Sequence, residues 1–140
     1  MRVLSAAGVY FLALLTIGFV LGPLRELVLR PRVGATAAVL IEAPVMIACI
    51  ALLAPRIATR MLRPPATAAR VAMGAAALAL LLAAEVGLSF LLRGQTPAEY
   101  VARFATPDGL VGLTLFVVFA AAPAVAGIWE RDAGRHNRPC

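Results

Sequence analysis

Two carboxylates are the residues of this chain whose type and position most clearly suggest chemistry. Glu42 and Glu85 each stand inside a stretch that is otherwise apolar enough to cross a membrane. Burying a charged side chain in hydrocarbon is costly, so acids in such stretches usually face a protein interior and find partners there. Both glutamates are therefore candidates for a functional site or a structural ion pair.

The two acids are expected to lie at one depth. Glu42 is about 8 residues past the start of its apolar run and Glu85 about 7 residues before the end of its own, which correspond to roughly 12 and 10 Å from one interface. Thr16 and Thr114 reach the same plane by the same arithmetic, although a threonine in a membrane helix often bonds only its own preceding turn. The spacing predicts one buried polar layer to which all four helices contribute.

Arginines at the ends of the same runs could neutralise this layer. Arg25, Arg32 and Arg93 are the candidates that we include in the site, because a long arginine stem can extend toward a buried carboxylate. Such contacts would hold the first loop on the helices. Alternatively, two acids close together in a low-dielectric interior cannot both ionise at low cost, so the pair could exchange a proton or bind a cation. A site for a polar substrate or cofactor is the third possibility.

The second span also aligns softer ligands with its acid. Glu42, Met46 and Cys49 follow at i, i+4 and i+7 on one helical face, and thioether and thiolate groups favour Cu(I). No matching cysteine or methionine pair occurs on another span, and Cys49 and Cys140 form no CxxC motif. We therefore predict no metal, no cofactor and no disulfide.

Two prolines within the apolar runs should free carbonyl oxygens. Proline has no amide hydrogen, so Pro44 leaves the Leu40 carbonyl without its helical donor, and Pro123 does the same to the Phe119 carbonyl.

The composition identifies the elements that must position these residues. Hydrophobic residues make up 62% of the 140-residue chain, charged residues only 14%, and the mean hydropathy is +0.92. Soluble domains contain about 45–50% apolar and about 25% charged residues. A spanning helix needs about 20 mostly apolar residues, and four runs qualify, at residues 3–22, 33–54, 71–92 and 109–129.

The predicted fold is an all-α integral membrane protein, an antiparallel four-transmembrane-helix bundle with short interfacial helices in the outer loops. Residues 1–131 form its single domain and residues 132–140 a disordered cytoplasmic tail. Gly22-Pro23, Pro55 and Arg93-Gly94 are expected to end the first three spans.

Local signals add detail to the loops and to one span. The sequence Thr96-Pro97-Ala98-Glu99 has the form of a capping box, which predicts a short helix through Phe104.

In the third span, small residues recur at every fourth position and should allow another helix to approach closely. They are Ala75, Ala79, Ala83 and Gly87.

Arginine positions indicate the orientation, since basic residues favour the cytoplasmic side. The chain has 13 basic residues, all arginine. The side that holds both termini carries eight, namely Arg2, Arg56, Arg60, Arg63, Arg70, Arg131, Arg135 and Arg138. The other side carries five, namely Arg25, Arg30, Arg32, Arg93 and Arg103. Both termini are therefore predicted to be cytoplasmic.

Several short motifs are spread over most of the chain. They are Gly22-Pro23-Leu24-Arg25, Pro31-Arg32-Val33-Gly34 and Glu42-Ala43-Pro44-Val45-Met46, and further along 70–74, Glu85 and Tyr100 with Thr106-Pro107. Together they resemble a pattern found in a group of small four-span bacterial inner-membrane proteins. The resemblance implies four spans in a bacterial inner membrane. It implies no activity and no catalytic residue.

The functional expectation follows from the absence of soluble catalytic motifs. The sequence has no GxSxG, HExxH, P-loop or dinucleotide fingerprint, and no basic-aromatic module for nucleic acid. We expect a non-enzymatic accessory or interaction protein whose partners are the lipid bilayer and either further copies of itself or a membrane complex. The alternatives are a proton- or cation-coupled transporter or channel that uses the two acids, and a membrane-embedded enzyme for a hydrophobic substrate.

Overall fold

The computed structural model describes residues 1–62 and 66–136, and this part of the chain is entirely helical apart from short connections. Four helices are long and apolar enough to cross a membrane, which indicates a multi-pass membrane protein. The elements in chain order are α1 (Arg2–Leu24), a π-helical turn (Arg25–Leu29), α2 (Arg30–Val33), α3 (Ala35–Met61), α4 (Thr67–Arg93), α5 (Pro97–Ala102), a 3₁₀ turn (Arg103–Ala105) and α6 (Pro107–His136).

The first helix does not end at Gly22-Pro23 as predicted. Pro23 lies inside α1, and the chain continues through the π-helical turn, where the Arg30 amide donates to the Arg25 carbonyl, into α2. Only Gly34, with φ of 86°, changes the chain direction. The π-helical turn lets the chain remain helical past Pro23. Gly34 can adopt a positive φ at no steric cost because it has no Cβ.

The second helix likewise passes its predicted end. α3 contains both Pro44 and Pro55 and runs to Met61. The Thr59 hydroxyl donates to the Pro55 carbonyl at 2.8 Å, and the Arg56 guanidinium donates to the Leu52 carbonyl at 2.8 Å. The carbonyl that Pro55 deprives of its helical donor is that of Ala51, so these two bonds do not replace the lost one. Proline is nevertheless tolerated inside membrane helices.

The spans pack in a definite order. α1 packs against α3 and α4, and α6 packs against the same two helices, while contact between α3 and α4 is marginal at most in the described residues. The core comes from the first half of α1, the second half of α3, the start of α4 and the middle of α6. Its buried members are Ala6, Ala7, Tyr10, Leu14, Ile50, Ala54, Ala58, Leu62, Met73, Ala77 and Phe119.

The predicted small-residue stripe is not the packed face of α4. All three of its alanines are exposed, and a Cβ placed on its half-buried glycine would contact nothing within 4 Å. The close approach lies instead at Gly74, where an added Cβ would collide with the Ala120 carbonyl of α6. The members of this stripe are Ala75, Ala79, Ala83 and Gly87.

The end of the chain also differs from expectation. We predicted a disordered tail from Asp132, but α6 continues to His136. Ala133 and Arg135 favour helix, but Gly134 does not, so helix propensity alone does not explain the extension. Residues 137–140, the remainder of the predicted tail, lie outside the described part of the chain.

Candidate functional site

Glu42 is bound to an arginine from the segment that precedes its helix. The Arg25 Nη1 donates to the Glu42 Oε2 at 3.0 Å, and the two side chains are 26% and 10% exposed. Arg25 is the first residue of the π-helical turn, and Glu42 lies in the first third of α3. The ion pair therefore neutralises the more enclosed of the two acids within the spans and ties the connecting segment to the second span.

The same arginine extends the contact into a short chain of charges. Arg25 Nη2 lies 3.2 Å from Glu26 Oε1, and Arg30 Nη1 lies 2.7 Å from Glu26 Oε2. Arg30 and Glu26 are four residues apart, a spacing at which side chains meet on a helix. The resulting ladder of Glu42, Arg25, Glu26 and Arg30 alternates in sign, so every carboxylate in it is matched by a guanidinium.

Glu85 has a different partner, Arg103, whose Nη2 lies 3.2 Å from the Glu85 Oε2. The two side chains are 28% and 35% exposed for Arg103 and Glu85 respectively. The Arg103 guanidinium also lies over the Tyr100 and Phe104 rings, at 5.0 and 5.1 Å from their centroids. Cation–π contacts of this kind hold a guanidinium in place, so Arg103 is fixed by two aromatic rings and one carboxylate.

Local sequence explains why Arg103 occupies this position. The predicted capping box is confirmed: the Glu99 amide donates to the Thr96 hydroxyl at 3.3 Å, and the Thr96 amide donates to Glu99 Oε2 at 2.8 Å. The helix that starts there places Tyr100 and Arg103 on one face. Gly109 lets the first turn of α6 approach the Arg103 carbonyl, where a Cβ would collide.

Tyr100 is the buried member of this cluster. Its ring meets Phe104 edge-to-face, with centroids 5.5 Å apart, and its hydroxyl oxygen is buried without a hydrogen-bond partner among the described residues. Burial raises the pKa of the Tyr100 phenol, and the nearby Glu85 carboxylate raises it further while Arg103 opposes both. The phenol therefore stays neutral at physiological pH.

The two ion pairs do not form the single polar layer that the sequence predicted. Glu42 belongs to α3 and Glu85 to α4, which are the two spans that barely touch. Each acid is paired instead with an arginine 17 or 18 residues away along the chain. The depth estimate located each acid along its helix but carried no information on which helices are neighbours.

The other predicted members of the layer lie elsewhere. Thr16 and Thr114 are exposed, and each hydroxyl donates to the carbonyl four residues earlier in its own helix, at 2.8 and 2.9 Å. Arg32 is exposed in α2. The side chain of Arg93 lies outside the part of the chain that the structure describes. A threonine can always satisfy its hydroxyl on its own preceding turn, which explains why equal depth did not bring the threonines to the acids.

The Cu(I) alternative has no support from the arrangement of α3. Glu42 is engaged by Arg25, while Cys49 is half-buried and packs against the apolar core. Across residues 1–62 and 66–136, no group of three histidine, cysteine, aspartate or glutamate side chains is placed to hold a metal ion. Two cavities, of about 330 and 440 Å³, are lined by residues other than Glu42 and Glu85.

A further polar contact joins α1 to the carbonyl that Pro123 frees in α6. The Tyr10 hydroxyl donates to the Phe119 carbonyl at 3.0 Å, and the two rings stack with centroids 4.6 Å apart. That carbonyl is the acceptor which Pro123 deprives of its helical donor. Sequence reasoning identified the acceptor but not Tyr10 as the donor, because the two residues are 109 positions apart.

Arg70 is a charged residue whose burial the sequence did not indicate. The sequence groups it with the other arginines on the side of the termini, but the residue is 1% exposed and its side chain lies between α4 and α6. Its Nη1 donates to the Pro123 carbonyl at 3.4 Å, and its stem lies against Gly127. No signal in the sequence marked this burial, because Arg70 directly precedes the predicted third span and its proximity to Gly127 is a tertiary contact.

Comparison with known proteins returned no match among protein-family models, curated proteins or solved structures.

Proposed function

We propose that this chain is a non-enzymatic accessory protein of a bacterial inner membrane, whose acids within the spans serve structure. The observation that carries the proposal is the pairing of Glu42 with Arg25 and of Glu85 with Arg103. In each pair the arginine comes from a segment that links two spans. An acid that is held by an arginine has no need to titrate or to bind a substrate in order to be stable in the membrane.

The proposal includes the arrangement in the bilayer. The four spans form an antiparallel bundle, and α5 lies at the interface with its aromatic side chains toward the bundle. Eight arginines on the side of the termini against five on the other favour cytoplasmic termini. Four spans bury little surface against one another, so the protein acts as a homo-oligomer or as a subunit of a membrane complex.

The role of the acids can be tested by reconstitution. Purified protein in liposomes is compared with protein-free liposomes for proton and monovalent-cation flux, using an entrapped fluorescent indicator. We expect equal flux in both. A flux that requires the protein and disappears in Glu85→Gln, while persisting in the matched variant Glu99→Gln outside the spans, would overturn the structural role and support coupled transport.

A second measurement tests whether the pairs stabilise the fold. Glu42→Gln should lower the midpoint of thermal unfolding in detergent, because Arg25 then keeps only Glu26 as an acidic partner. If Glu42→Gln and Glu85→Gln both leave this midpoint unchanged, the pairs do not stabilise the structure and the proposal fails.

The orientation is tested separately. A reporter fused to the last residue should be active only on the cytoplasmic side of the membrane, and the same reporter inserted next to Gln95 should be active only on the outer side. The reverse pattern would contradict the proposed topology without affecting the role of the ion pairs.

A further inference from the structure

A basic cavity lies where the first span begins and the second span ends. It has a volume of about 330 Å³ and is lined by Met1, Arg2, Ser5, Arg60 and Met61. Its two arginines come from opposite ends of the α1–α3 segment, and both are exposed. None of the described lining residues is acidic.

The remaining chemistry of this cavity also suits an anion. The first turn of α1 contains no acidic residue, and the first amide groups of a helix carry a partial positive charge that favours anions. Arginine matches the oxygens of a phosphate through its planar fork of donors. Met61, which is half-buried, adds apolar surface to the lining.

The location favours a lipid over a free phosphate as the source of the anion. Arg2 and Arg60 stand at the ends of two membrane-spanning helices, which is the depth at which headgroups meet the acyl region. Basic residues clustered there attract anionic lipids. A lining that combines guanidinium groups with the apolar side chain of Met61 suits a phosphodiester next to its hydrocarbon chains.

We propose that the cavity between the start of α1 and the end of α3 binds the phosphodiester headgroup of an anionic phospholipid through Arg2 and Arg60. The site is independent of the ion pairs of Glu42 and Glu85. It adds a specific lipid contact to the general membrane anchoring that the arginine distribution provides.

The test is a titration of the full-length protein in detergent with phosphatidylglycerol, followed by native mass spectrometry. Phosphatidylcholine and inorganic phosphate serve as separate probes. The double variant Arg2→Gln/Arg60→Gln should bind phosphatidylglycerol roughly 25-fold more weakly, since each basic residue near an anionic lipid contributes about fivefold. The matched control Arg32→Gln, which removes an exposed arginine from α2, should keep the original affinity.

Three results would overturn the proposal. Phosphatidylglycerol could bind the double variant as tightly as the parent protein, or Arg32→Gln could lose as much affinity, which would indicate general electrostatic attraction. Inorganic phosphate could compete as effectively as the lipid, which would assign the cavity to a free anion. The thermal midpoint of each lipid-free variant is recorded alongside, and the single variant Arg60→Gln, with an expected fivefold loss, replaces the double variant if the latter is unfolded.

Discussion

Among the polar contacts of the spans, the ion pair between Arg25 and Glu42 should contribute most to the free energy of unfolding. Removing one partner of a buried ion pair costs about 3–5 kcal/mol because the other charge is left unpaired. Glu42 is only 10% exposed, whereas Arg25 is 26% exposed and keeps a contact with Glu26. The two single variants are therefore expected to differ. Arg25→Gln should cost about 3 kcal/mol and Glu42→Gln about 1 kcal/mol of unfolding free energy.

The measurement is a double-mutant cycle. Each variant is unfolded reversibly in mixed micelles by increasing the mole fraction of sodium dodecyl sulfate, and the loss of helix is followed by circular dichroism. The double variant removes both charges, so it should be more stable than Arg25→Gln alone, with a coupling energy of about 2 kcal/mol. A coupling energy indistinguishable from zero, or an Arg25→Gln variant as stable as the parent, would refute the reasoning.

The Arg103–Glu85 pair provides the matched comparison. Its side chains are 28% and 35% exposed, so its coupling energy should be about 1 kcal/mol or less. Because the two pairs stand on helices that barely touch, the effects of Glu42→Gln and Glu85→Gln should add to within about 0.5 kcal/mol. Marked non-additivity would instead indicate the shared site that equal depth suggests.

Three further predictions concern packing, backbone satisfaction and pH. Tyr10→Phe should destabilise the protein by about 1 kcal/mol, because it removes the hydrogen bond to the Phe119 carbonyl. The loss should be much smaller in a Pro123→Ala background, where the amide of residue 123 again donates to that carbonyl. Equal losses in both backgrounds, measured by the same unfolding assay, would contradict this account. Gly74→Ala should lower the free energy of unfolding by about 1–3 kcal/mol, because the added methyl group forces α4 away from α6. Gly87→Ala is the control and should be neutral or stabilising, because the space around Gly87 is open. A Gly74→Ala variant as stable as the parent would show that the two helices can separate freely. Backbone and hydroxyl hydrogen bonds hold the pKa of the Glu99 carboxyl below its ordinary value of 4.5, so its stabilisation of α5 is complete above that value and is lost as the pH falls through the lower folded-state pKa. Amide exchange in α5, corrected for intrinsic rates, should accordingly accelerate as the pH falls below 4.5, while Glu99→Gln, which can still cap, should remove that dependence.

Some of the local structure could be predicted because its causes are local. The capping box of Thr96 and Glu99 depends on a spacing of three residues, and it forms as expected. The carbonyl freed by Pro123 follows from covalent structure alone. The ends of α1 and α3 could not be predicted from Pro23 and Pro55, because the cost of a proline in a helix depends on neighbouring groups that can satisfy the backbone.

The choice of arginine partners required the tertiary structure. Several arginines flank the same ends of the spans, and depth along a helix does not distinguish among them. Arg103 is selected because the turn after α5 holds it over two aromatic rings and Gly109 admits α6 beside it. Arg25 is selected because the π-helical turn continues α1 toward the start of α3.

The sequence by itself determined that this protein has four helices able to cross a membrane, and it located both acids along them. It did so because the hydrophobicity of a segment and its length are properties of the chain alone. Only the tertiary structure decided that Glu42 and Glu85 belong to two separate ion pairs, and that Gly74 rather than the alanine stripe packs against α6. The physical reason is that lipid tails are as apolar as leucine, so the lipid-facing and the buried sides of a membrane helix look alike in the sequence.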